Sequence, residues 1–182
     1  MNVYEIKTGL LDRVALLVIP EKELTLDGAQ PFAGRGRPLS WARPRRLAYE
    51  AEPRENVLPR ADISPFLPGS LVLNAKAHEA LEPMLCTFGQ LLPLDVDGER
   101  QYFFNATTLL TCIDREASTK RIGLVVAKEA FIESAIPLEP AVFKDPATAA
   151  TRLYTNEAGR LALEQAAAAA HVEGLLFKRA GL

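Results

Sequence analysis

The dipeptide Asp97-Gly98 constrains this chain more than any other local feature. It separates two apolar-rich runs, Leu91 to Val96 and Arg100 to Phe104. Asp-Gly accommodates the positive φ values of a type I′ turn, so the two runs are predicted to pair as a β-hairpin. Pro93 falls inside the first run. Proline has no N–H to donate, which predicts an edge position or a bulge there.

The flanking sequence supplies two helices. Asn74 reads as the N-cap of a helix from Ala75 to about Leu85, preceded by a short strand at Leu71–Leu73. Ala77, Leu81, Met84 and Leu85 recur at helical spacing, and Pro83 should end or kink the helix. A second helix is predicted from Thr155 to Ala170, with Thr155 or Asn156 as cap and Glu157 in its first turn. Further strands are predicted at Arg13–Ile19, Ile122–Ala127 and Leu175–Phe177. Thr107–Ile113 either extends the hairpin or opens a new element. From Asp27 to Pro68 the chain is rich in Pro, Gly and Arg, and reads as a long loop with short strands laid over a core. This order predicts an α+β fold: a single domain with a largely antiparallel sheet, two main helices and a Pro/Arg-rich N-terminal region. Residues 1–61 form the N-terminal strand and Pro/Gly/Arg-rich part, and residues 62–182 the core on which it packs.

Composition narrows the function classes. Of 182 residues, 48% are hydrophobic and the net charge is −2, values of an ordinary globular chain. A disordered, collagenous or disulfide-scaffold protein is excluded, and near-neutral charge argues against a protein that coats nucleic acid. The longest early apolar run, Val14 to Ile19, is far short of the ~20 residues of a membrane span and has no cleavage region after it. A cytoplasmic protein without a membrane partner is expected. Cys86 and Cys112 match no metal or redox spacing and are expected to be buried thiols.

Two charged groups stand out. Residues 61–120 carry four basic against eight acidic side chains, and Asp95, Asp97, Glu99, Asp114 and Glu116 dominate that acidic band. Paired carboxylates can serve acid–base or metal chemistry. At a hairpin tip, a solvated turn is the plainer reading. Residues 35–46 hold Arg35, Arg37, Arg43, Arg45 and Arg46 with Trp41 among them. Arginine beside an aromatic ring can grip phosphate and stack on a base, so this segment carries an alternative reading as a nucleic-acid-binding or regulatory module. It can equally be a solvated loop, with Glu50, Glu52 and Glu55 to neutralise it. His78 and His171 have no ligand-spaced companions. The segment Gly34-Arg35-Gly36 lacks the third glycine of a phosphate loop, and no nucleophile elbow is present. No cofactor, metal or catalytic residue is indicated, and a non-enzymatic binding protein is the default.

An ordered series of short motifs points further. Leu71-Val72-Leu73-Asn74-Ala75-Lys76-Ala77 is followed by Glu79-Ala80-Leu81-Glu82-Pro83, then by Leu91-Leu92-Pro93-Leu94 and Tyr102-Phe103-Phe104-Asn105. Asp114-Arg115-Glu116-Ala117-Ser118, Ala141-Val142-Phe143, Leu153-Tyr154-Thr155 and Glu173-Gly174-Leu175-Leu176-Phe177 complete it. Over roughly residues 62–182 this series resembles the eleventh immunity-protein family of bacterial polymorphic toxin systems, formerly a domain of unknown function. The aromatic pair Phe103 and Phe104 departs from the family's small aliphatic residues and is expected to alter packing only. The resemblance implies a cytosolic protein that binds a cognate toxin or secreted effector domain and blocks it directly. It transfers no catalytic residue. The matched apolar positions read as fold determinants, which leaves the toxin-facing surface elsewhere. The acidic residues named above are the candidates, because an acidic patch can steer and fill the basic cleft of a nucleic-acid-attacking toxin. The sequence leaves the oligomeric state open.

Overall fold

At Asp97 and Gly98 the chain reverses with φ of 51° and 85°, the pair of left-handed residues that a type I′ turn needs. The flanking strands, β6 (Gly89–Val96) and β7 (Glu99–Ala106), pair without a break from Val96↔Glu99 to Gly89↔Ala106. The structure, a computed structural model, describes residues 2–9, 13–24, 28–50, 58–121 and 124–181.

The hairpin is the centre of a six-stranded sheet. On the β7 side lie β5 (Leu71–Leu73) and then β4 (Ile63–Ser64). On the β6 side lie β3 (Arg45–Tyr49) and then β2 (Leu17–Val18). All pairs are antiparallel except β3 with β6, which run parallel from Arg45↔Leu94 to Leu47↔Val96. Hence β6 is an inner strand paired in continuous register with β7, and neither the edge position nor the bulge expected from Pro93 is found. Pro93 sits one residue before the β3 pairing begins, where its missing N–H interrupts nothing. The strand expected at Arg13–Ile19 shrinks to the two residues of β2. Ala15 and Leu17 donate instead to the carbonyls of Pro59 and Pro65, and those prolines cannot return a bond to close a ladder.

A second, four-stranded antiparallel sheet has the order β10 (Val142–Phe143), β11 (Tyr154–Asn156), β1 (Val3–Thr8), β12 (Leu175–Arg179). β1 pairs with strands more than 140 residues downstream (Val3↔Asn156, Tyr4↔Arg179), so the N-terminus is built into the C-terminal sheet. β8 (Thr119–Arg121) and β9 (Leu124–Lys128) form a separate ribbon. The strand expected at Ile122–Ala127 is thus found from Leu124 onward, and Ile122 and Gly123 lie outside the described residues. Thr107–Ile113 forms no strand and makes single bridges, Leu109↔Lys144 and Ile113↔Phe131.

Both helices obey their caps. The Asn74 side chain accepts from the Ala77 N–H and opens α1 (Ala75–Leu85). The Asn156 side chain does the same for Gly159 and opens α2 (Glu157–Ala169). Ala77, Leu81 and Leu85 of α1 join Leu163 and Ala167 of α2 in a core that also takes Leu71, Leu73 and Phe104 from one sheet and Ile6 and Val142 from the other. The opposite face of the six-stranded sheet is covered by the Pro/Arg-rich region, whose Phe32 meets Leu47, Leu94 and Phe103. Phe103 and Phe104 therefore fill two different cores, one on each face of β7. A third core holds Val3, Phe143 and Tyr154 with Cys112 and Ile113. Cys112 is buried as expected, and burial pushes its thiol up to about 12. Cys86 is exposed, because α1 ends at Leu85 and leaves it on the solvent side of the cap.

Candidate functional site

The hairpin tip and β3 together bring charged side chains from several segments onto one surface. Parallel pairing sets Arg46 beside Asp95, and Asp95 is opposite Arg100 on β7. The Arg46 Nε lies 3.4 Å from Asp95 Oδ2, and the Arg46 guanidinium also reaches Glu23 at 3.7 Å. Asp97 Oδ2 lies 3.4 Å from Arg60 and accepts from the Tyr49 N–H at 3.3 Å. Asp95 Oδ1 accepts from the Gly98 N–H at 2.9 Å and braces the turn. The Arg60 guanidinium also covers the Tyr49 ring at 4.3 Å. Glu99 and Arg43 are exposed, and among the described residues neither has a side-chain partner.

The expected acidic patch is therefore a charge-balanced one: Asp95, Asp97 and Glu99 are interleaved with Arg46, Arg60 and Arg100. Such a surface produces little long-range field and favours a partner with a matching pattern at contact distance. The other two acids are not part of it. Asp114 Oδ1 accepts from the Glu116 and Ala117 N–H groups at 2.9 and 3.0 Å, so its carboxylate organises its own turn. Glu116 is exposed on that turn, and among the described residues no ion pair or hydrogen bond joins it or Asp114 to the hairpin tip.

The arginine cluster is dispersed by the fold. Arg35, Arg37, Arg43 and Arg46 are exposed, while Arg45 is half-buried with its Nε enclosed. The Arg37 carbonyl is held by Asn105 Nδ2, whereas Arg46 sits level with Arg100. Those two points on β7 are five residues apart, about 17 Å at ~3.3 Å per residue. Trp41 faces inward: its indole N–H donates to the Pro31 carbonyl, and its ring packs against Phe32 and Phe103. It is not presented for stacking on a base.

Buried polar groups escaped the sequence reading. The Tyr154 hydroxyl donates to Glu129 at 2.7 Å and meets Thr148 at 3.0 Å, and Arg152 pairs with the same Glu129. Asp145 is buried and accepts from the Cys112 and Ile113 N–H groups at 2.8 and 2.9 Å. Lys144, next to it, is buried without a carboxylate partner among the described residues. Most of these contacts join residues more than 20 positions apart, so no short motif announces them. His78 stacks on Tyr102 with ring centroids 3.6 Å apart, and the His171 carbonyl accepts from Lys76. Among the described residues no group of three or more His, Cys, Asp or Glu is placed to hold a metal ion, and no helix is long and apolar enough to cross a membrane. No protein-family model matches the chain, and no curated protein matches it.

Proposed function

We propose that this chain is a non-enzymatic immunity protein that binds a cognate toxin or effector domain in the bacterial cytoplasm and neutralises it by direct contact. The motif series over residues 62–182 first suggests the class. The observation that carries the contact surface is the hairpin tip, where exposed Glu99 stands beside the braced pairs Arg46–Asp95 and Arg60–Asp97, with exposed Arg43 two residues before β3. Charges fixed by neighbours lose little side-chain entropy on binding, which suits them to a specific interface. The matched positions Leu153, Val142, Phe143 and Tyr154 are buried in the C-terminal sheet and suit a role in the fold rather than in recognition.

Purification of the tagged chain from its native bacterium, with mass spectrometry of stoichiometric partners, tests the reading. An effector domain retained through salt washes, and lethal when expressed alone, is the expected result. Glu99→Lys combined with Arg43→Glu should then weaken association at least tenfold with an unchanged circular dichroism spectrum. Recovery of the chain alone would overturn it, and recovery with nucleic acid that salt removes would overturn it in favour of the basic-module alternative.

A further inference from the structure

At the other end of the hairpin lies a cavity of about 310 Å³, lined by Phe32, Phe103, Asn105, Ser70, Arg35 and Lys144 among others. That volume lies at the lower end of the range for small-molecule sites. Lys144 is 6% exposed. Its ammonium donates to the Gly69 and Ala149 carbonyls, both at 2.9 Å, and these residues also line the cavity. An ammonium has three N–H donors, so one remains. Among the described residues no carboxylate pairs with it. Burial alone lowers its pKa to about 8, with no neighbouring acid to offset the loss of water. Buried charges are normally paired, and two carbonyl dipoles leave the net charge standing.

A second cation stands at the same cavity in an unusual backbone state. Arg35 has φ 49°, a left-handed conformation that non-glycine residues avoid. It is gripped between two close approaches. A Cβ on Gly34 would fall 2.0 Å from Asn105 Oδ1, and one on Gly36 would fall 2.3 Å from a Leu109 methyl. Arg35 thus bears backbone strain that a glycine at this position would not.

We propose that this cavity binds a small organic anion, its carboxylate or phosphate on the free donor of Lys144 and within reach of Arg35, and its apolar body against Phe32 and Phe103. The site has no need of the toxin-binding reading and lies away from the surface assigned to it.

The test uses three probes on the whole chain at pH 6.5: benzoate, inorganic phosphate, and benzyl alcohol as the uncharged ring. Amide chemical shifts of Ser70, Phe103 and Ala149 and calorimetry are the readouts. Saturable shifts at those residues with benzoate and none with benzyl alcohol are expected, and a response to phosphate would identify a phosphate group as the preferred anion. Lys144→Met should abolish the response. Should that variant fail to fold, Arg35→Gly decides the matter, since it relieves the left-handed residue and should keep the melting temperature while weakening benzoate at least fivefold. Absence of saturable binding by both anions, equal binding of benzyl alcohol, or unchanged affinity in Arg35→Gly would overturn the proposal.

Discussion

Replacing Lys144 by methionine should remove a specific pH dependence from the stability of this protein. Burial lowers the lysine from 10.5 to about 8 in the folded chain. At ~1.4 kcal/mol per pH unit, the folded state bears about 3 kcal/mol for holding the ammonium out of water. Below pH 8 the group is charged in both states and that penalty is present in full. Above 10.5 it is neutral in both and the penalty is gone. Between the two values the unfolded chain binds more protons than the folded one, so stability rises with pH. Methionine keeps the aliphatic length and has nothing to titrate.

Urea denaturation of both proteins at intervals from pH 7 to 10.5 measures the effect. The other lysines and tyrosines titrate alike in the two, so the difference between wild type and variant isolates Lys144. That difference should grow by about 3 kcal/mol in favour of the wild type across the range. At pH 7 the variant escapes the penalty but leaves the Gly69 and Ala149 carbonyls without their donor, at roughly 1–3 kcal/mol each. The pH slope, not the offset, is therefore decisive. A flat difference would mean that the ammonium is hydrated or paired, and the cavity would lose its uncompensated charge. Saturating benzoate should move the rise to higher pH, because an anion favours the protonated form.

Three substitutions probe the framework. Asn156→Ala removes a side chain that accepts from the Gly159 and Ala141 N–H groups and donates to the Pro137 and Glu139 carbonyls. Urea denaturation should show a loss of about 3 kcal/mol, well above the ~1 kcal/mol of a simple cap. Gly98→Ala places a Cβ in open space at φ 85°. Strain alone should then lower the melting temperature by about 3 °C at roughly 1 kcal/mol, as calorimetry would show. Tyr154→Phe takes one of two partners from buried Glu129 and should lower stability by about 2 kcal/mol in the same denaturation assay, with Arg152 still in place.

What the sequence disclosed follows the range of the interactions involved. Asn74, Asn156 and Asp97-Gly98 act over three residues or fewer, and each produced the element expected of it. β1 was invisible because its buried residues, Val3 and Ile6, point to different cores and so break the two-residue rhythm of a half-buried strand. The charge-balanced tip was equally hidden. Asp95 and Arg46 lie 49 positions apart, and only the parallel pairing of β3 with β6 reveals that they neutralise each other. Lys144 depends on carbonyls of Gly69 and Ala149, groups that every residue owns, so no composition or motif could mark it. Conversely, the five arginines that are clustered in sequence divide in space, Arg35 and Arg37 near Asn105, and Arg43, Arg45 and Arg46 on or just before β3.

This arrangement makes the two proposed sites separable. From Gly98 at the tip to Asn105 at the cavity β7 runs seven residues, about 23 Å at ~3.3 Å each. Sites so far apart, joined by one uninterrupted strand pair and sharing no side-chain partner, should act independently. A cycle of Glu99→Lys, Lys144→Met and the double variant examines this. Partner affinity should respond to the first change alone, benzoate affinity to the second alone, and the double variant should match both singles within about 0.5 kcal/mol. A larger deviation would mean that β7 has two arrangements biased from either end. The cavity ligand would then control binding at the tip, and by reciprocity the partner would alter benzoate affinity by the same factor.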